Sequence, residues 1–488
     1  MAAETLTWTF GLINAASKYL TAETFQNKVT ANGTALKTKQ IWTLERVDDE
    51  RIALKSNAGR YLSSDKDGKI SAAAESVGDN EKFEMLTQDD GRVAIRNATH
   101  KRYVGGSGDS LTGYDLAISP TNLWTLQLAM HPQINLRNAN RRAYCHLQGN
   151  EMQCNELIPW GADAVVTLQF QNGRYALLLS NEKYVSRTGA LVDAISDDTL
   201  YTLVFRNAEV AFRDCKGKYL TAVGSTATVQ SRKDTISKDE LFTLEDSQPQ
   251  FQLTASNGKL VSVRGVEEVR ANQTTTTDAE IFQLEAVNRT DFSGNVKWAI
   301  RGQNKKYWNS EATILANKEN FAEPSTQFEI QWLGPLVALK GSNGKYVSTK
   351  SNGQLAATSA DIADACKFVF EFLNRRSIIF RGEFGFVGPK GASAILECNR
   401  STYEIYDMVG KAGSYSFRGR NGGKFWRVEA DNTIALLGDA PLDFHIEFRG
   451  HSVMCIVGPN GQYIKAAQNG GFTVTGGNAV SSSTLWEY

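Results

Sequence analysis

The sequence has little proline, little cysteine and no long apolar run, and each shortage excludes a class of protein. Only 9 prolines accompany 41 glycines in 488 residues, a ratio typical of a chain with many tight turns. No apolar run approaches the roughly 20 residues that a membrane-spanning helix needs. Residues 1–20 contain no sustained apolar segment of the kind found in secretory signals. We therefore expect a cytosolic protein that does not insert into membranes.

Cysteine and histidine are too sparse and too scattered to predict a metal site. The cysteines contain no C-x-x-C pair, and the five histidines lack the spacing of metal ligands. Free thiols in a reducing compartment are the interpretation that fits this distribution. We expect no metal and no cofactor. The cysteines are Cys145, Cys154, Cys215, Cys366, Cys398 and Cys455.

Excess charge of either sign is also missing. The 53 lysines and arginines balance the 53 aspartates and glutamates, so the formal net charge is zero. No overall field therefore draws the protein to nucleic acid or to a membrane surface, and we expect neither partner. Any acidic partner must be bound by local clusters of basic side chains.

Signatures of catalysis are absent as well. The chain has no G-x-S-x-G elbow and no H-E-x-x-H motif. The glycine-rich segment 341–346 is two residues too short for a P-loop and lacks a serine or threonine after its lysine. Adjacent carboxylates such as Asp89 and Asp90 fall in predicted hairpin turns, where solvation explains them. The sequence therefore predicts a protein that is not an enzyme.

One pattern recurs along the whole chain with a period of about 40 residues, which is typical of repeat architectures. An apolar strand leads into a turn rich in asparagine, glycine or lysine, and an aromatic–aliphatic pair follows, as in segments 52–62 and 337–347. We call the aromatic position, or the residue replacing it, the mark of each repeat. The twelve marks are Tyr19, Tyr61, Tyr103, Tyr144, Tyr184, Tyr219, Leu260, Tyr307, Tyr346, Phe386, Phe425 and Tyr463.

Each repeat ends in a second alternating strand that carries an aromatic residue near its start, as in segments 41–45 and 241–245. The pattern therefore predicts that each repeat forms four short strands joined by hairpin turns, with one face of each strand directed inward. A β-propeller blade has this size, but the Gly-His and Trp-Asp markers of the common blade are absent. Repeats assembled in threes predict an all-β chain of four tandem β-trefoil domains at 1–131, 132–248, 249–374 and 375–488. We expect the repeated aromatic rings to fill the barrels.

Several segments resemble the fascin family, in order and nearly from end to end. The segments Phe10–Asn14, Lys18–Glu23 and Lys39–Glu45 resemble its first trefoil, and Met130–Gln133 resembles the passage into the second. Segments 210–215 and 238–242 resemble the second trefoil, and 380–386, 399–401 and 485–488 the fourth. The resemblance implies a monomeric, metal-free protein that cross-links actin filaments into tight parallel bundles through at least two faces. It also implies a place in filopodia, microvilli or similar projections.

The resemblance also implies which residues contact actin. Filamentous actin presents an acidic surface, so a neutral protein needs lysine and arginine side chains held in place. One family surface lies where the first and fourth trefoils meet, and the positions that match it are Lys18, Lys37, Lys39, Glu383 and Lys390. Other surfaces would use Lys101, Arg102, Lys238, Lys345 and Lys350. A lysine in a hairpin turn is more often simply solvated, so the positions outside the first surface are the weaker assignments.

Several positions depart from the family pattern. Segment 389–391 lacks one basic residue, and Ser110 and Glu371 replace basic residues of some relatives. The family's regulatory serine is Ala35 here, so either Thr34 substitutes for it or the control is absent. A second regulatory serine corresponds to Arg270.

Two alternatives remain open on the residues alone, a lectin-like trefoil binding module and a scaffold, whereas a growth factor has no support. A trefoil lectin would repeat a Gln-x-Trp triplet near the end of each unit, and this triplet does not recur. A heparin-binding growth factor would need a dense basic cluster and secretion. A scaffold that kept the fold without cross-linking actin is compatible with the sequence.

Overall fold

A computed structural model describes residues 8–48, 50–206, 209–265, 267–288 and 296–488. Within these residues the secondary structure consists of β-strands and single-turn 3-10 helices, and no α-helix occurs. No helix among them is long and apolar enough to cross a membrane. The 3-10 turns span Thr38–Gln40, Pro120–Asn122, Ala162–Ala164, Asp197–Thr199, Lys238–Glu240, Asp278–Glu280, Pro324–Thr326, Asp364–Cys366 and Ser482–Thr484.

The strands fall into four groups along the chain. The first group is β1 Trp8–Ile13, β2 Tyr19–Ala22, β3 Val29–Gly33, β4 Trp42–Arg46, β5 Ile52–Ser56, β6 Tyr61–Ser64, β7 Ile70–Ala74, β8 Phe83–Thr87, β9 Val93–Asn97, β10 Tyr103–Ser107, β11 Ser110–Asp115 and β12 Leu123–Leu128. The second is β13 Gln133–Asn138, β14 Tyr144–Gln148, β15 Glu151–Glu156, β16 Val166–Gln171, β17 Arg174–Leu178, β18 Tyr184–Val185, β19 Leu191–Val192, β20 Leu200–Arg206, β21 Glu209–Arg213, β22 Tyr219–Val223, β23 Thr228–Lys233 and β24 Phe242–Asp246.

The third group is β25 Gln250–Thr254, β26 Leu260–Arg264, β27 Glu268–Gln273, β28 Phe282–Ala286, β29 Lys297–Arg301, β30 Tyr307–Trp308, β31 Ala316–Lys318, β32 Phe328–Leu333, β33 Leu336–Lys340, β34 Tyr346–Thr349, β35 Leu355–Ser359 and β36 Phe368–Phe372. The fourth is β37 Ser377–Ile378, β38 Arg381–Gly382, β39 Gly385–Pro389, β40 Leu396–Arg400, β41 Tyr406–Lys411, β42 Ser414–Gly419, β43 Phe425–Val428, β44 Ile434–Gly438, β45 His445–Gly450, β46 Val453–Val457, β47 Lys465–Ala466, β48 Phe472–Thr473 and β49 Trp486–Glu487.

Six strands of the first group close into a barrel. Strand β1 pairs with both β4 and β12, and the pairs β4–β5, β5–β8, β8–β9 and β9–β12 complete the circle. The remaining six strands form three hairpins, β2–β3, β6–β7 and β10–β11. One barrel closed by three hairpins, each from one repeat, is a β-trefoil. The second and third groups have the same pairing order, so the predicted fold class is confirmed.

The fourth group closes in the same way with a break in its first strand. Strand β37 pairs with β41, and β38 pairs with β49. Two backbone hydrogen bonds of 2.8 Å join Tyr415 and Phe444 across the gap between β42 and β45. We refer to the four groups as the first to fourth trefoils.

The aromatic residue that begins the last strand of each repeat fills the barrel. Trp42, Phe83 and Trp124 of the first trefoil are completely buried. The indole N–H of Trp42 donates to the carbonyl of Leu20 at 3.0 Å, and that of Trp124 donates to the carbonyl of Val104 at 3.2 Å. These bonds satisfy the polar atom that a buried tryptophan brings with it.

Four of the marks are buried as expected, namely Tyr61, Tyr103, Tyr307 and Tyr463, but the other eight are not. Ten of the twelve marks begin the first strand of a hairpin, but eight of the twelve are only half buried. In eight repeats a lysine or arginine of the adjacent barrel strand lies over the ring, 5.1–6.0 Å from its centre. The Tyr61 hydroxyl donates to Glu45 at 2.7 Å, and a tyrosine inside the barrel would have no such partner. The aromatic residues that fill the barrels are therefore those that begin the last strand of each repeat, such as Trp42, Phe83 and Trp124.

The chain divides into two compact units. One comprises residues 1–132, 136–155 and 166–244, and the other comprises 133–135, 156–165 and 245–488. Within the first unit the rings of Trp8 and Phe205 pack edge to face at 5.3 Å. Within the second unit the cores of the third and fourth trefoils form one hydrophobic cluster, with Phe372 and Phe448 at 5.1 Å. The domain boundaries predicted from the sequence stay a prediction.

Candidate functional site

The three lysines assigned to the first trefoil lie at the base of its first hairpin. Lys18 ends the turn between β1 and β2, where the side-chain oxygen of Asn14 accepts the backbone N–H of Lys18 at 3.0 Å. Because β2 pairs with β3, with Tyr19 opposite Gly33, Lys18 lies beside the segment that leads to Lys37 and Lys39. The structure therefore brings Lys18 into the neighbourhood of the other two.

A buried glutamine fixes the turn that carries Lys37 and Lys39. The side-chain oxygen of Gln40 accepts the backbone N–H of Lys37 at 3.2 Å. Its amide nitrogen donates to the hydroxyl of Thr21 on β2 at 3.1 Å. Lys37 and Lys39 are exposed on this anchored turn, so their ammonium groups project from a fixed backbone.

Lys39 has an acidic neighbour that the sequence did not reveal. Its ammonium group lies 3.0 Å from a carboxylate oxygen of Glu23, with side-chain exposures of 49% and 33%. An ion pair this exposed contributes little to stability and is screened by salt. Glu23 therefore orients Lys39 without removing it from the surface.

Lys101 and Arg102 form a second basic pair, in the turn between β9 and β10, with Lys101 exposed and Arg102 half buried. Lys101 adopts a left-handed backbone conformation, with φ of 56°, and its ammonium group lies 2.6 Å from Glu84. Arg96 also donates to Glu84, at 2.8 Å through Nε. The guanidinium group of Arg102 donates instead to the carbonyl of Lys66 at 3.1 Å. Lys101 therefore forms an ion pair with a carboxylate, whereas Arg102 forms a hydrogen bond to a backbone carbonyl.

The titration of Glu84 tests this arrangement. Burial is the largest influence and raises its pKa, but the hydrogen bonds from Lys101 and Arg96 together bring the pKa below the ordinary value of 4.5. The ionised form therefore stabilises the fold above about pH 4.5, and this contribution is lost as the pH falls through the lowered pKa. We expect carboxyl-carbon NMR to give a midpoint below 4.5.

The Lys101→Met variant should raise that midpoint, because it removes one of the two cations. Arg102→Met is the matched control, since Arg102 makes its hydrogen bond to a backbone carbonyl, and it should leave the midpoint unchanged. A midpoint insensitive to Lys101→Met would show that the contact does not exist in solution.

Lys238 begins a 3-10 turn built on a buried carboxylate. One oxygen of Glu240 accepts the backbone N–H of Ser237 at 2.9 Å and its hydroxyl at 2.7 Å. Glu240 is 1% exposed, whereas Lys238 points to solvent. The pattern Ser-x-x-Glu is a capping box, which explains why the chain turns here.

Lys345 and Lys350 lie at the two ends of β34 in the third trefoil. The side-chain oxygen of Asn343 accepts the backbone N–H of Lys345 at 3.0 Å, and a 2.8 Å bond from Gly353 to the carbonyl of Lys350 closes the following turn. Both side chains are exposed. The strand therefore holds two ammonium groups at fixed positions along one hairpin.

Glu383 and Lys390 lie on either side of β39, the first strand of the first hairpin of the fourth trefoil. Glu383 is exposed in the turn between β38 and β39, and its carboxylate accepts the hydroxyl of Ser482 at 2.9 Å. Lys390 is exposed just after β39, with its backbone N–H bonded to the carbonyl of Ile395 at 2.8 Å. Glu383 is thus partly engaged inside its own trefoil.

The assigned residues divide between the two compact units. Lys18, Lys37, Lys39, Lys101, Arg102 and Lys238 belong to the first, and Lys345, Lys350, Glu383 and Lys390 to the second. Within the described part of the chain, only Lys39 and Lys101 among the eight lysines form an ion pair. The surface that the resemblance assigns jointly to the first and fourth trefoils stays a prediction.

Positions that depart from the family pattern have local structural roles. A carboxylate oxygen of Glu371 accepts the backbone N–H of Ala412 at 3.1 Å, a contact that a basic side chain could not make. Arg270 lies 2.9 Å from Glu268 in the same strand. Thr34 is exposed just after β3. Across the described residues, no group of three or more histidine, cysteine, aspartate or glutamate side chains is placed to hold a metal ion.

Comparison with known proteins extends over the whole chain. The family model described as "Fascin domain" matches residues 16–126, 134–244, 256–370 and 383–488. Fascin-2 of Mus musculus is 39% identical over 487 residues, covering 98% of this chain and 97% of the relative. Fascin of Strongylocentrotus purpuratus is 35% identical and covers both chains completely. Among solved structures, a designed threefold-symmetric protein, ThreeFoil, covers 24% of this chain and 96% of its own at 18% identity, with a TM-score of 0.23.

Proposed function

The chain belongs to the fascin family, and on that premise we propose that it cross-links actin filaments into tight parallel bundles. The family consists of structural actin-bundling proteins. A single molecule can join two filaments only if it has two separate binding faces. In this proposal the first unit carries one face around Lys18, Lys37 and Lys39, and the second unit carries another around Lys345 and Lys350.

The observation that supports this proposal is that most of the assigned lysines form no ion pair within the described residues. Most surface ammonium groups that pair with a carboxylate within the protein lose part of their attraction for an acidic partner. Lys18, Lys37, Lys345 and Lys350 form no ion pair within the described residues, so their charge is available to the acidic surface of filamentous actin.

The fixed backbone around these lysines also favours binding. Ordering a loop on association costs free energy, and a turn that is already anchored avoids this cost. Gln40 anchors the turn of Lys37 and Lys39, and Asn343 anchors that of Lys345. We propose a monomer of the cytoplasmic actin cytoskeleton, in filopodia, microvilli or similar projections.

Co-sedimentation with filamentous actin tests the proposal. Wild type should pellet actin at low speed, where only bundles sediment. Lys37→Glu and Lys345→Glu should each weaken one face about tenfold, because reversing a charge that meets an acidic surface costs about 1–2 kcal/mol. Each variant should therefore lose low-speed pelleting and still co-sediment with single filaments at high speed. Lys259→Glu, at an exposed lysine outside both faces, is the matched control and should behave as wild type.

The two centrifugation speeds separate the possible failures. If wild type co-sediments with actin only at high speed, one binding face is functional and the cross-linking proposal is rejected. Absence of binding at both speeds would reject actin as the partner. Equal losses for Lys259→Glu would show that overall charge, and not the assigned lysines, carries the interaction.

A further inference from the structure

The three hairpins of a trefoil are joined to one another by a ring of backbone hydrogen bonds, and this ring is incomplete in the second trefoil. In the first trefoil the ring has three bonds, each from one hairpin to the next. They run from Ala31 to Gly108 at 2.8 Å, from Ala72 to Asn27 at 2.9 Å and from Gly113 to Gly68 at 2.8 Å. The third and fourth trefoils have all three as well, beginning at Ala271, Ala316 and Ala357 and at Cys398, Leu436 and Val474.

The second trefoil, whose hairpin residues are all described, has only two of these bonds. Cys154 of the first hairpin donates to Ala227 of the third at 2.9 Å, and Ser231 of the third donates to Arg187 of the second at 2.8 Å. No backbone hydrogen bond joins the second hairpin to the first. In the complete rings each hairpin donates one of these bonds and accepts another, and its accepting residue generally lies four positions before its donating residue, as Gly68 does before Ala72. The open side therefore lies between the N–H of Leu191 and the carbonyl of Asn150.

The cause is the length of the second hairpin. Tyr184 at the start of this hairpin pairs with Val192, 8 residues later, whereas Tyr219 of the third hairpin pairs with Lys233, 14 residues later. Such a short hairpin does not reach the first one.

A solvent-open cavity with a volume of about 460 Å³ lies at the surface where the ring is open. This volume is within the roughly 300–1,000 Å³ typical of small-molecule sites. All three hairpins contribute to its lining, and the polar residues are Asn150, Glu151, Thr188, Thr226, Thr228 and Gln230. The other lining residues are glycine, alanine and valine.

The composition of the lining restricts the chemistry of a ligand. No lysine, arginine or histidine lines the cavity, so phosphate and carboxylate ligands would lack a counter-charge. Large apolar side chains are also missing from the lining, so lipids and aromatic molecules would lack contact area. What remains are hydroxyls, amides and one carboxylate, which are the groups that bind hydroxyl groups.

Two side-chain amides of the lining have no partner of their own. Within the described chain, neither Asn150 nor Gln230 makes a side-chain hydrogen bond, whereas Thr228 donates to Glu151 at 2.8 Å and lies 3.1 Å from the hydroxyl of Thr226. An amide both donates and accepts, and so does a hydroxyl group. A molecule with several hydroxyl groups could therefore pair with both amides and also bridge the open side of the ring.

We propose that the open ring of the second trefoil binds a small, uncharged, polyhydroxylated molecule of monosaccharide size. Its hydroxyl groups donate to Glu151 and exchange hydrogen bonds with Asn150, Gln230 and Thr228. This site is independent of the lysine faces, so the protein can bind such a molecule whether or not it cross-links filaments.

Isothermal titration calorimetry on the full chain tests the proposal. The probes are D-glucose, D-galactose, N-acetyl-D-glucosamine and myo-inositol, with putrescine and inorganic phosphate as charged counter-probes. We expect at least one polyol to bind with a dissociation constant below about 10 mM. Ala190→Trp places a large ring in the cavity from an exposed lining position and should abolish binding. Glu151→Gln should weaken it about tenfold and Thr228→Val about fivefold.

Thr473→Val in the fourth trefoil is the matched control, because its hydroxyl forms a similar exposed pair with Thr475, at 2.7 Å, beside a complete ring. This variant should bind as wild type does. The proposal is overturned if no polyol binds wild type, if only putrescine or phosphate binds, or if binding survives Ala190→Trp. Should Ala190→Trp not fold, unchanged affinities of Glu151→Gln and Thr228→Val would overturn it.

Discussion

Replacing Trp426 with alanine is expected to lower the free energy of unfolding of the fourth trefoil by about 4 kcal/mol. The indole is completely buried and lies among five other rings of the same barrel. The ring centres lie at 4.6 Å for Phe417, 5.2 Å for Phe380 and Tyr406, 5.3 Å for Phe472 and 5.9 Å for Phe444. Aromatic neighbours this large cannot collapse into the space that the indole leaves, so the transfer and cavity terms add.

The measurement should report on this trefoil alone, because a chain of several domains need not unfold in one step. Native-state hydrogen exchange of β42 and β43 gives the local free energy of unfolding. Leu437→Ala is the matched control, since Leu437 lies on the adjacent strand β44 with 40% exposure, and it should cost less than about 0.5 kcal/mol. A loss below about 1.5 kcal/mol for Trp426→Ala would contradict the packing described for this barrel.

A second large loss, of about 3 kcal/mol or more, is expected for Gly413→Ala. Gly413 lies in the turn between β41 and β42 with φ of 80°, a conformation that costs a residue with a Cβ about 1–2 kcal/mol. A Cβ at this position would lie 2.1 Å from the carbonyl oxygen of Pro335 in the third trefoil. A backbone carbonyl cannot rotate away as a side chain can, so the turn itself must move.

Gly422→Ala separates the two contributions to this loss. Gly422 has a similar φ of 74°, but a Cβ there would meet no atom within 4 Å. It should therefore show only the backbone cost of about 1–2 kcal/mol. Thermal unfolding of the two variants, with hydrogen exchange at β32 and β33, gives the difference. Equal losses for both would mean that the turn of Gly413 does not pack against Pro335 in solution.

The fold could be predicted because the strand and turn signals are local and repeated twelve times. The turn predicted in segment 52–62 has Gly59 at φ of 76° and a 2.9 Å bond from its N–H to the carbonyl of Ser56. Apolar alternation likewise predicted that the aromatics of segments 41–45 and 241–245, Trp42 and Phe242, fill the barrels, and both are completely buried. The half-buried location of eight of the twelve marks was missed, because alternation does not distinguish a core tyrosine from one that lies under a cation at the surface of the barrel.

The site could be predicted only as a set of positions. The lysines were assigned from the resemblance, whereas their acidic neighbours depend on contacts between residues far apart in sequence. Glu23 is 16 residues from Lys39, and Glu84 is 17 from Lys101. The open ring of the second trefoil was not foreseen either, although the short spacing between Tyr184 and Val192 was visible in the sequence. Whether this spacing leaves the second hairpin too short to hydrogen-bond the first depends on how the hairpins are arranged in the folded trefoil.

The closure of each barrel also has a consequence for synthesis on the ribosome. Strand β1 completes the first barrel by pairing with β12, with Phe10 opposite Leu128. Contacts between residues this distant form slowly, and domains generally fold as units, beginning with the N-terminal one. The first trefoil therefore cannot close until its twelfth strand has left the exit tunnel, and until then β1 has an unpaired edge that could associate with another nascent chain. We expect nascent chains of this protein to need the most protection just before each trefoil is complete.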